Sequence, residues 1–145
     1  MQKQQPTFHH ISKALSILEI THGMLESSKD QLVNMENIKD KPYVLNDELI
    51  NRSIKLYTSQ NEDLDIFLQQ CVIWKNKELN ELQQYQVTTI EENINSLLKI
   101  NNQILSIVDA CKDSTINKIL AKDDLELAID ALSGKITLPK LRSNN

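Results

Sequence analysis

Apolar residues recur three and four positions apart along most of this chain, the period of a helix that buries one face. Ile11, Leu15, Leu18, His22, Leu25 and Leu32 hold that spacing, and Ala14, Ile17, Met24 and Met35 widen it into the arc of a bundle helix. The pattern predicts a first helix over residues 7–38, with Thr7 as its N-cap. Pro42 then interrupts it, because proline disfavours helical backbone at the residue before it. Asn46 is placed to cap the next helix, and Asp47 and Glu48 follow where a helix dipole favours acids. From Leu49 and Ile50 through Ser53, Tyr57, Leu64, Phe67, Leu68, Cys71, Trp74 and Leu82 one stripe continues without a break across TSQNED. It predicts one long helix over residues 47–85 and a tight connection at 86–88.

The third helix, expected over residues 89–120, carries the cleanest heptad: Ile90, Ile94, Leu97, Asn101, Ile104, Val108 and Cys111. A short fourth helix over 124–133 would set Leu125, Ile129 and Leu132 on one side and end at Gly134 in the C′ position. Residues 1–6 and 135–145 read as frayed tails. Short connections between long helices force antiparallel neighbours. The expected fold is therefore all-α: an elongated up-down-up antiparallel three-helix bundle with long helices plus a short C-terminal helix, in a single domain covering residues 1–145. Helices of this length would span on the order of 50 to 60 Å, and so long a three-helix bundle has much surface for its volume.

Composition narrows the function more than it names it. Two glycines and three prolines in 145 residues leave little turn chemistry, and aromatics at 4% do not suit a sheet. Sixteen basic and twenty acidic residues, net −4, are interspersed with no run of one sign, so the basic stripe of a nucleic-acid binder is missing. Lys135, Lys140 and Arg142 make only a thin cationic footprint. No export signal or membrane-spanning stretch is visible, which points to the cytoplasm. Cys71 and Cys111 fit small core residues of a reducing compartment. On the expected topology Cys71 would lie level with Asn102, about 13 Å along the axis from Cys111, so an internal disulfide is not expected.

Candidate chemistry concentrates in LEITHGMLE, residues 18–26. Glu19 and His22 have the Glu-x-x-His spacing of carboxylate-bridged metal bundles, and Glu26 sits one turn beyond. The predicted turns would bring Glu62, Asp63, Asp65 and Asp109 to the same level. Direction opposes the reading: the glutamates flank the apolar arc, and Asp63 and Asp109 lie about a quarter-turn off their stripes. Such a site also needs two Glu-x-x-His motifs, and this chain has one. No metal is favoured, and Glu19, His22, Glu26, Asp63 and Asp109 would need a second chain to complete a centre. No phosphate-binding glycine loop, nucleophile elbow or zinc spacing occurs, and neither cofactor nor catalysis is called for. The expectation is a helical interaction or scaffold protein, working through self-association or partner helices. Its docking seam is expected at Leu64, Phe67 and Trp74, or at Ile100 and Ile107 beside the helix 3 stripe. Asn101, mid-stripe, either fixes helix register or faces a gap.

Overall fold

A computed structural model describes residues 8–121 and 124–134. The protein is an all-α helical bundle, and the described residues contain no strand. Three long helices, α1 (Ala14–Ile38), α2 (Asp47–Lys75) and α3 (Glu81–Cys111), are followed by the short α4 (Ile116–Leu120) and α5 (Asp124–Leu132). Single 3₁₀ turns precede α1 (Ile11–Lys13) and α2 (Pro42–Val44). The predicted tails, residues 1–6 and 135–145, lie outside the described residues.

Several boundaries follow from local chemistry. Pro42 opens a 3₁₀ turn after α1 ends. Asn46 caps α2, its Oδ1 accepting from the Leu49 N–H at 2.8 Å, and α2 runs unbroken through TSQNED. Gly134 takes φ 76°, the left-handed conformation that closes a helix without a Cβ penalty.

Other boundaries correct the sequence reading. The first helix was expected from residue 7, but residues 8–10 are not helical: His10 is extended, and its Nδ1 accepts from the Ser12 N–H to cap the 3₁₀ turn. Helix α2 stops at Lys75, ten residues before its expected end, and the positions assigned to a connection at 86–88 lie inside α3. The cause is a reciprocal cap: Asn80 Oδ1 accepts from the Gln83 N–H at 2.8 Å while Gln83 Oε1 accepts from the Asn80 N–H at 3.0 Å. This capping box satisfies two donors that a new helix start would leave unpaired. Helix α3 ends at Cys111 rather than running to 120, because Thr115 caps a separate helix, accepting from the Lys118 N–H.

The chain divides into two compact units, the first made of Met1–Asp30 and Tyr57–Asn102, the second of Gln31–Leu56 and Gln103–Asn145. In the first, Ala14, Ile17 and Leu25 of α1, Leu64, Cys71 and Trp74 of α2, and Val87, Ile90, Ile94 and Leu97 of α3 form one buried cluster. Contacts fix the helix directions there. Thr21 meets Asn93 and Ser28 meets Asn101, so α1 and α3 run parallel. Asn61 meets Asn102 while Lys75 meets Glu91, so α2 runs against α3. In the second unit the buried apolar side chains are Met35, Leu45, Ile50, Ile104, Val108, Cys111 and Ile119. There α4 lies against the Pro42–Val44 turn, and the Ile116 N–H donates to the Leu45 carbonyl at 2.9 Å.

Candidate functional site

The earlier start of α3 shifts its levels against α1 and takes Asp109 out of the expected acidic layer, while Asp63 of α2 does line one groove with Ile20 and Met24, the α1 residues either side of His22. With Thr21 against Asn93 and Ser28 against Asn101, His22 lies level with Ile94, about four turns of α3 before Asp109. Glu19, His22, Glu26, Asp63 and Asp109 are all exposed. Glu26 pairs with Lys29 at 3.4 Å and Asp109 with Lys112 at 3.0 Å. Among the described residues no group of three His, Cys, Asp or Glu side chains is placed to hold a metal ion. His9 and His10 are exposed beside the start of α1.

The residues expected to line a docking seam separate into two sets. Leu64 and Trp74 are wholly buried in the core of the first unit and present no surface. Phe67, Ile100 and Ile107 are half-buried. Ile100 and Ile107 share the flank of α3 that carries Asn93, the residue bonded to Thr21 of α1. Phe67 lines an open groove of about 270 Å³ together with Ile20, Met24, Asp63 and Ile66. Helix α1 contributes Ile20 and Met24 and α2 contributes Asp63 and Phe67, each pair four positions apart. The groove between them is long enough along both helices to receive the side chains of a third helix laid in it.

The second unit holds a larger apolar groove, about 390 Å³, floored by Met35, Ile38, Leu45, Leu49, Ile50 and Val108, with amides of α1 at its rim. Beside it a polar knot ties α2 to the segment after α3. Asp47 accepts from Thr115 Oγ1 at 2.6 Å and from Lys118 Nζ at 3.1 Å, and its N–H donates to Asn117 Oδ1 at 2.9 Å. The Thr115 hydroxyl, and then Lys118, hold the Asp47 carboxyl below the usual aspartate range. Asp47 was legible as a helix-start acid, but its partners lie some seventy residues away and leave no local signal.

The thiols are unsuited to chemistry. Burial, and secondly the Glu91 carboxylate, push Cys71 up to about 12, and burial raises Cys111. A thiol held protonated is a poor nucleophile. Both cysteines are free.

No protein-family model, curated protein or solved structure matches the chain. Among the described residues no helix is long and apolar enough to cross a membrane, and Lys135, Lys140 and Arg142 lie outside those residues.

Proposed function

We propose that this protein is a non-catalytic helical interaction module, acting through helix–helix contacts with a second copy of itself or within a larger assembly. The observation that carries the reading is the α1–α2 groove of the first unit. Ile20 is 52% exposed there, and Met24, Ile66 and Phe67 are each only half-buried. Each of the two helices presents an i, i+4 pair to the groove, so one added helix laid along it would dry the apolar surface beneath. Asp63 at the rim disfavours an acidic partner face and would orient a cationic one.

The reading predicts that Ile20→Asp removes a contact between chains without harming the fold. Light scattering on the wild-type protein should show a concentration-dependent assembly or a complex with a co-expressed partner. Ile20→Asp should lose it while keeping its circular dichroism spectrum and melting temperature. A wild-type protein that stays monomeric and captures no partner, or a variant that assembles as before, would overturn the reading.

A further inference from the structure

Helix α2 carries two buried polar side chains one turn apart, Gln70 and Trp74, and both are aimed at the backbone of a single residue. The His9 N–H donates to Gln70 Oε1, and Trp74 Nε1–H donates to the His9 carbonyl at 3.0 Å. Both polar groups of that residue's main chain are thus read by side chains, while the His9 imidazole is exposed and makes no contribution to the grip. Two positions on, Ile11 packs against the buried cluster. Gln70 is only 2% exposed, and its Nε2 has no hydrogen-bond partner among the described residues. A dry, unpaired amide donor is costly to keep, and opening the contact to water relieves it. The closed arrangement therefore carries a penalty that a different or fuller occupant could remove.

We propose that Gln70 and Trp74 form a clamp for the main chain of an extended peptide segment, and that residues 8–10 are its displaceable occupant in the free chain. The clamp accepts one N–H, donates to one carbonyl and holds a second donor in reserve. It tolerates any side chain at the gripped residue and favours an aliphatic one two positions later, as Ile11 is here. Nothing in it depends on the α1–α2 groove, so it stands or falls separately from the interaction reading.

The test uses the full chain and Trp74 as the reporter, since it is the one tryptophan. By native-state hydrogen exchange, the His9 amide should open with little dependence on urea, well before the amides of Ile90 and Leu97. His9→Pro, which lacks the gripped donor and alters an exposed position, should make Trp74 more open to acrylamide quenching with the helical signal unchanged. Gln70→Met should speed His9 exchange by about two- to tenfold, the worth of one hydrogen bond. A blocked peptide FHHISK, titrated through the millimolar range in which a tethered segment competes, should restore shielding in the His9→Pro variant. The same peptide with proline at the gripped residue should not. Exchange of His9 only through global unfolding, unchanged quenching in His9→Pro, or a peptide that restores nothing would each overturn the proposal.

Discussion

Asn101 shows how much one polar side chain can decide inside a helical core. It is fully buried at a position where the heptad calls for an aliphatic residue. Its Oδ1 accepts from Ser28 Oγ at 2.9 Å, and its Nδ2 donates to Gln60 Oε1 at 2.9 Å and Asn61 Oδ1 at 3.1 Å. One amide therefore ties all three long helices at a single level. A slip of α3 by one turn would leave the buried Ser28 and Asn101 groups unpaired, so the layer selects register at some expense in stability. Asn101→Ala removes the hub, leaves the buried Ser28 hydroxyl without its acceptor and takes a donor from the half-buried Gln60 and Asn61. We expect urea titration to show a loss of about 2 to 4 kcal/mol, combining a small cavity with unsatisfied partners. Asn101→Leu should cost less and instead loosen register, seen as broadened amide resonances around Ser28 and Asn61.

At the scale of elements, the start of α2 is held from a distance. Asp47 sits in the first turn, where the helix dipole favours its charge, and Thr115 and Lys118 both donate to its carboxylate. Those contacts depress its pKa in the folded state. A depressed carboxyl contributes stability that is fully present above the unfolded-state pKa and disappears as pH falls through the folded one. Asp47→Asn should therefore melt below the wild type at neutral pH, and the two melting curves should converge under acid. A gap that persisted undiminished in strong acid would assign the loss to packing. The α2 start was legible because Asn46 and Asp47 act on neighbours in sequence. Its end was not: Leu79 and Leu82 carry the helical period through the break, and the Asn80–Gln83 box that makes the break contains neither glycine nor proline. That shift also misplaced the levels, which is why an acidic layer drawn from correct helical faces failed at Asp109. Trp74 shows the same limit for the site. Its stripe position was readable, but whether the seam there was closed depended on residues 8–10, which one-dimensional periodicity assigns to a helix.

At the scale of the whole molecule, the two units differ in what they bury. The first packs Trp74, Leu64, Ile90, Ile94 and Leu97 with essentially no exposure. The second buries Met35, Leu45, Ile50, Ile104, Val108, Cys111 and Ile119 and leaves an open groove beside several of them. On α5, Ile129 and Leu132 are 55% and 90% exposed, so the apolar side predicted for that helix gains little there from burial. Among the described residues the second unit buries fewer large apolar side chains, which lowers its opening free energy. Helical continuity works in the other direction, since α1, α2 and α3 each supply residues to both units. Magnitudes favour separate transitions: stretches 31–38, 47–56 and 103–111 are shorter than the 12 to 15 residues or so that an isolated helix needs to persist in water. Once their packing is lost they should unwind rather than stay helical by propagation. Circular dichroism at 222 nm reads all helices, whereas Trp74 reports the first unit alone. In urea the helical signal should therefore begin to fall at lower denaturant than the fluorescence of Trp74, and the two curves should not superimpose. Filling the second groove by Ser53→Val should move the early phase to higher urea and leave the fluorescence midpoint in place. Coincident transitions in both proteins would show instead that the continuous helices bind the units into one cooperative whole.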